Sequence, residues 1–133
     1  LVVVNRTAQR AIELVERFAG SAAVRISAGI MAHPGSRFDL VINATSAGLA
    51  GGVPDLPDGL FAVDGWAYDL VYADQPTEFM RWSMAHGAAY ASDGLGMLVE
   101  QAAESFFIWR GIRPATQQVI TDLRNAANYS SSP

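Results

Sequence analysis

Short apolar runs alternate along this chain with stretches whose apolar residues recur every third or fourth position. Leu1 to Val4 is unbroken and ends in Asn5-Arg6-Thr7, which reads as a buried parallel strand running into a turn. Thr7 is placed to cap the helix that follows. In that helix Ala11, Leu14, Val15 and Phe18 keep the i, i+3, i+4, i+7 pattern, while Arg10, Glu13, Glu16 and Arg17 fall on the other side. Gly20 is its expected stop. Ala23 to Ile26 is expected as a second strand, and Asp39 to Asn43 as a third with Leu40, Val41 and Ile42 as its buried run. Ala44 to Leu60 is rich in Gly, Pro, Asp and Ser and predicts a long loop with room for one helical turn. Trp66 to Val71 predicts a fourth strand. A helix starts at Pro76 and runs through Phe79, Met80, Trp82 and Ser83 to Gly87. Ala88 to Ala91 is a fifth short strand. Gly94 to Trp109 is the clearest helix, with a stripe of Leu95, Leu98, Val99, Ala102, Phe106 and Trp109 and a stop at Gly111. Pro114 to Ala127 predicts a final helix, and Asn128 to Pro133 a polar tail.

Strands alternating with helices at these spacings imply an α/β fold built on a Rossmann-like, doubly wound parallel sheet, with helices at the C-terminal end. In that fold the strand order is 3-2-1-4-5-6, and a Gly-rich turn follows the first strand. The strand that carries Asn5-Arg6-Thr7 fits the second place. The first strand and its glycine loop have no counterpart in the chain. Residues 1–127 therefore read as a partial nucleotide-binding domain with C-terminal helices, and 128–133 as a tail. Because the first strand is central, its absence would expose two edges that normally pair. A chain that opens on Leu1 and not Met reads as one whose N-terminus is not native.

Composition narrows the chemistry. Half of the 133 residues are hydrophobic and 17% are charged, which supports one domain with a real core and not a disordered chain. No apolar run approaches the roughly 20 residues that span a bilayer, and no basic leader precedes an apolar stretch. No membrane partner is expected, and cytoplasmic localisation follows by default. A net charge of -4 argues against a nucleic-acid surface. Cysteine is absent, which excludes disulfides and thiolate chemistry. All nine cations are Arg, so this chain alone cannot supply a Lys base or Schiff base. His33 and His86 lie far apart in the sequence, and no metal set is expected.

Two segments carry candidate chemistry on their own residues. Arg6 stands just past a strand with Arg10 four residues on, and no acid occupies positions 5 to 10. Such a pair can clamp a ribose 2'-phosphate, where an acid would instead suit the free hydroxyl of NAD. A turn with two solvated arginines is the plainer reading of the same residues. Asn43, Ala44, Thr45 and Ser46 end a strand at the carboxyl edge of the sheet, where ligands sit in open α/β folds, and their small size lets backbone approach a cofactor. Ser46 lacks the Gly-x-Ser-x-Gly elbow of a nucleophile. Asp69 reads as structural, holding a turn or a backbone amide, and Asp93 as the cap of the helix behind it.

Four segments in order carry more than any one of them. They are Asn5-Arg6-Thr7, Asn43-Ala44-Thr45-Ser46-Ala47-Gly48, Tyr68-Asp69-Leu70-Val71-Tyr72, and Ser92-Asp93-Gly94-Leu95-Gly96-Met97-Leu98-Val99-Glu100-Gln101-Ala102-Ala103. Together, from Val2 to about Arg124, they resemble the C-terminal half of the shikimate dehydrogenase family. The resemblance implies NADP as cofactor and reduction of 3-dehydroshikimate to shikimate, a step toward chorismate and the aromatic amino acids. It implies cofactor contacts for Asn5, Arg6, Thr7, Arg10, Asn43, Ala44, Thr45, Ser46, Leu70 (beside the nicotinamide) and Gly94, and substrate contacts for Tyr72 and Gln101. It places the proton-transferring Lys and Asp in an N-terminal domain, so no catalytic residue is expected in this chain and the chain alone is expected to be inactive. That domain and a second copy in a homodimer are the protein partners it suggests. A quinate/shikimate dehydrogenase using NAD, or a non-catalytic α/β module binding another phosphate ligand, remain the alternatives.

Overall fold

The computed structural model describes residues 1–20, 23–35, 37–47 and 52–130, with the backbone alone for 127–130. Nine elements follow in chain order: β1 (Val2–Val3), α1 (Ala8–Phe18), β2 (Ser27–Ala28), β3 (Phe38–Asn43), β4 (Phe61–Asp69), α2 (Glu78–Ala85), β5 (Tyr90–Ser92), α3 (Leu95–Arg110) and α4 (Gln117–Ser130). The strands form two separate parallel sheets, β1-β2 and β3-β4-β5. This is the expected α/β parallel architecture. Gly48, the last residue of the Asn43 motif, and the end of the tail lie outside the described residues.

The core sits under the three-stranded sheet. Leu60, Phe61, Ala67, Phe79 and Ala88 are buried together, with Phe38, Val41, Trp82 and Ala91 packed around them. Phe79 from α2 is completely enclosed and stacks near Trp82, at 6.2 Å between ring centroids. The opposite face of this sheet is not covered. Leu40, Trp66 and Tyr90 are register partners, as are Ile42 and Tyr68, and partners in register share a face. Leu40, Ile42, Trp66 and Tyr90 are each about half exposed.

Several expected boundaries move, each for a physical reason. The second strand is Ser27–Ala28 and not Ala23 to Ile26. The Ser27 amide donates to the Leu1 carbonyl and the Gly29 amide to the Val3 carbonyl, so the pairing with β1 falls on Ser27 and Ala28. The fourth strand begins five residues before Trp66. Its register with β3 slips between Phe38 and Leu40, and Asp64 turns through a positive φ of 59° in the slipped stretch. That kink hides the strand period. Pro76 stands two residues ahead of its helix, because Thr77 takes the cap and its Oγ1 accepts from the Met80 amide at 3.2 Å. The last helix begins at Gln117 and not Pro114. Thr7 holds the N-cap position of α1 without a side-chain cap hydrogen bond. The Thr7 amide is instead taken by Asn5 Oδ1 at 2.9 Å, a turn closed one step earlier.

The helical stripes are narrower than the pattern suggests. In α1 only Ala11 is buried, with Leu14 and Phe18 exposed. In α3 the buried line is Leu95, Val99 and Ala103, while Ala102, Phe106 and Trp109 face out. Gly111 ends α3 as expected. Its φ of 70° is left-handed, and its amide donates to the Phe107 carbonyl.

Candidate active-site edge

The carboxyl ends of β3 and β4 meet the cap of α2 in a buried polar knot. Asp69 is fully enclosed at the end of β4. Its Oδ1 accepts from Asn43 Nδ2 at 3.1 Å and from the Val71 amide at 3.2 Å. Its Oδ2 accepts from Thr77 Oγ1 at 2.6 Å. The carboxylate thus joins the end of β3, the turn after β4 and the cap of α2. A buried carboxylate needs donors of this kind to offset its lost hydration. The structural reading of Asp69 is what the molecule shows.

Asn43 divides its amide. Its Nδ2 turns to Asp69, while its Oδ1 accepts from the Thr45 amide at 3.1 Å and from Thr45 Oγ1 at 2.8 Å. Thr45 Oγ1 in turn accepts from the Ala47 amide at 3.3 Å. The turn Asn43-Ala44-Thr45-Ser46 is therefore a closed hydrogen-bonded unit, with Ala44 and Ser46 exposed. The Leu70 amide donates to the Asn43 carbonyl at 3.0 Å, which extends β4 alongside this turn. Leu70 and Tyr72 both reach the surface.

The head of α3 closes the edge from the other side. The Gly94 amide donates to the Val71 carbonyl at 3.1 Å. A Cβ at Gly94 would stand 2.2 Å from the Leu70 carbonyl oxygen, whereas one at Gly96 would meet nothing within 4 Å. The glycine at 94 is thus required by the chain's own backbone crossing beneath it. Gly94 and not Asp93 holds the N-cap position of α3; Asp93 Oδ1, one residue ahead, accepts from the Leu95 amide at 3.2 Å and is also bound by Arg124 of α4. Arg124 Nη1 donates to the Ala73 carbonyl at 3.3 Å. Gln101 lies exposed, off the buried line of α3.

Arg6 belongs to a second, separate place. Asn5, Arg6 and Ala8 line a cleft of about 290 Å³ with Ile30, Met31, Ala32 and Asp55. Arg6 and Arg10 are exposed, and neither forms an ion pair among the described residues. The structure therefore brings Asn43, Thr45, Leu70 and Gly94 together, and Asn5 and Arg6 together. No hydrogen bond among the described residues joins the two groups. Thr77, Arg124 and the placement of Asp55 carry no signal in the sequence pattern. Arg124 is 31 residues from Asp93, and no local period links them. Among the described residues no group of acids and histidines could hold a metal, and no helix is long and apolar enough to cross a membrane.

Comparison with known proteins gives this geometry a family. Residues 94–123 match the model of the shikimate 5'-dehydrogenase C-terminal domain. A shikimate dehydrogenase (NADP(+)) of Alkalilimnicola ehrlichii is 59% identical over 93% of this chain and 45% of its own length. One of Nitrosococcus oceani is 49% identical over 93% of this chain and 44% of its own length. A crystal structure of shikimate 5-dehydrogenase from Thermus thermophilus, in complex with NADP(H) and shikimate, superposes with a TM-score of 0.71. It is 34% identical and is matched over 97% of this chain and 45% of that one. The chain thus spans a little under half the length of these relatives. The α/β parallel fold, the motif order and these matches agree in likening this chain to the C-terminal part of shikimate dehydrogenases.

Proposed function

We propose that this chain is the cofactor-binding portion of an NADP-dependent shikimate dehydrogenase, an oxidoreductase that reduces 3-dehydroshikimate to shikimate on the way to chorismate and the aromatic amino acids. The observation that carries the reading is the Arg6 cleft. It lies just past β1, its guanidinium forms no ion pair among the described residues, and Ile30, Met31 and Ala32 give it an apolar wall. A flat base against such a wall, with a 2'-phosphate on Arg6 and Arg10, suits NADP. Asp55 lines the same cleft and opposes an anion, so the two arginines must outweigh it. NADPH, when bound, supplies a hydride.

This chain's residues would do the rest by placement. Asn5, Thr7, Arg6 and Arg10 hold the adenosine end. Asn43, Ala44, Thr45 and Ser46 offer a rigid, small-residue turn to the middle of the cofactor, fixed by the Asp69 knot. Leu70 and the head of α3 at Gly94 flank the reacting ring, and Tyr72 and Gln101 present a hydroxyl and an amide to a polyhydroxy acid. The proton-transferring Lys and Asp would come from residues outside this chain, in an N-terminal domain. The uncovered face of the three-stranded sheet supports such a missing portion. So do the edges of β1 and β3, which carry no paired strand among the described residues and would suit a central strand bearing the glycine loop. We place the enzyme in the cytoplasm, as a monomer or a homodimer.

The test is made in a family-length enzyme that carries these residues. Arg6→Ala should raise KM for NADP about tenfold while KM for NAD changes little, because the charge-assisted bonds to the 2'-phosphate are lost. Equal losses with both cofactors would overturn the assignment. Shikimate oxidation with NAD at the same efficiency as with NADP would favour the NAD-using quinate/shikimate enzyme.

A further inference from the structure

Arg124 reaches two acceptors that belong to different parts of the candidate site. One is the carboxylate of Asp93, buried at the head of α3, and the other is the carbonyl of Ala73 at the end of the segment after β4. Leu70, Val71 and Tyr72 run up to the Ala73 anchor. Their start is fixed by the Leu70 amide on the Asn43 carbonyl and by the Val71 amide on Asp69. Their middle is fixed by the Gly94 amide on the Val71 carbonyl. Their far end is fixed by Arg124. The Tyr72 side chain is about half exposed and forms no hydrogen bond among the described residues, so its position follows the backbone that carries it.

We propose that Arg124 is a positioning residue. From the C-terminal helix it sets the segment 70–73 and the head of α3 relative to each other, and so sets where Tyr72 meets the substrate. The inference rests on the reading of Tyr72 as a substrate contact. Arginine suits the task because its planar fork presents separate donors to two acceptors, which an ammonium on a flexible stem does not reproduce. Asp69 holds the start of the segment without help from α4. A shift of an ångström in the Tyr72 hydroxyl is enough to spoil a hydrogen bond to the substrate and so weaken its binding.

The experiment compares Arg124→Ala, Arg124→Lys, Tyr72→Phe and the Arg124→Ala/Tyr72→Phe double variant in a family-length enzyme. Arg124→Ala should raise KM for shikimate about fivefold with kcat within about twofold, and Arg124→Lys should recover part of the loss. The double variant should behave like Tyr72→Phe alone, because Arg124 acts through Tyr72. Hydrogen exchange on the same proteins gives a readout independent of activity. The amides of Gly94 and Leu95 should exchange faster in Arg124→Ala, while those of α2 keep their protection. Additive kinetic losses, or unchanged exchange at Gly94 and Leu95, would overturn the proposal. If Tyr72→Phe alone leaves shikimate kinetics unchanged, the substrate role of Tyr72 fails. Exchange at Gly94 and Leu95 then decides the role of Arg124 by itself.

Discussion

At the scale of single residues, the candidate site is built from contacts that leave little freedom. Gly94 has an ordinary helical backbone, φ −76° and ψ 0°, so it is not glycine for the sake of its dihedrals. It is glycine because the Leu70 carbonyl occupies the place of its Cβ. Gly94→Ala should therefore destabilise the chain by about 3 kcal/mol, since a backbone atom cannot step aside as a flexible side chain would. Gly96→Ala should cost nothing and should gain a few tenths of a kcal/mol in helix propensity. Urea unfolding of the two variants reads the difference, and equal midpoints would remove the close approach as the reason for the glycine. That a glycine mattered at the head of this helix was legible from Asp93-Gly94-Leu95-Gly96. Which neighbour demanded it was not, because Leu70 lies on another element. Asp69 was legible as structural, being an acid closing an apolar strand. Its three donors come from Asn43, Val71 and Thr77, and two of those three are too distant in sequence for any pattern to join them.

At the scale of elements, α3 and α4 are held by a polar staple in place of a deep apolar seam. Thr116 donates to Glu100 Oε1 at 2.6 Å, and Arg113 reaches both Glu100 and Glu104. The Thr116 hydroxyl, aided by Arg113, holds the Glu100 carboxyl below its usual range against a smaller opposing effect of burial. Glu104 and then Glu100 hold the Arg113 guanidinium above its usual range, far beyond any working pH. A carboxylate whose folded pKa is lowered adds stability above its unfolded pKa and loses it as pH falls through the folded value. The arginine's loss would come only on the strongly alkaline side. The staple should therefore weaken in acid alone. Wild type should be more stable than Glu100→Gln near neutrality, and the two should converge as pH falls through the lowered carboxylate value. A constant difference across that range would show that the Glu100 charge contributes nothing to docking α4. The helices themselves were legible from period and glycine stops. Their buried lines were not, because Phe106 and Trp109 keep helical spacing without meeting a covering layer. In β4, the strand period was interrupted by the Asp64 kink, so half of the element was hidden.

At the scale of the whole molecule, the chain is two small parallel sheets and not one continuous sheet. Among the described residues β1 pairs with β2 alone and β3 with β4 alone, so each keeps one edge of backbone donors and acceptors without a described strand beside it. A three-residue pairing such as β4-β5 and a two-residue pairing such as β1-β2 offer little to resist slippage. Beside the β3 edge lies the bare face of Leu40, Ile42, Trp66 and Tyr90, where the Trp66 and Tyr90 rings stack at 4.6 Å. At the far end of α3, Ile108, Trp109 and Ile112 are each more than two-thirds exposed or close to it. Open strand edges next to apolar surface are the combination that templates pairing between chains. The 133 residues by themselves should therefore self-associate, with sedimentation that shifts with concentration and broad, scan-dependent melting. A family-length protein carrying the same residues should be monodisperse and melt cooperatively, because its added strand would pair both edges at once. The edges can be told from the apolar faces by substitution. Ile42→Lys lies on the bare face at the open β3 edge, and it should reduce self-association of the 133 residues by placing a charge where another chain would pair. Trp109→Ser, remote from either edge, should reduce it less. If the 133 residues sediment as a single monomer and unfold in one sharp transition, the two sheets are sufficient as they stand, and the assignment of a central strand between β1 and β3 is wrong.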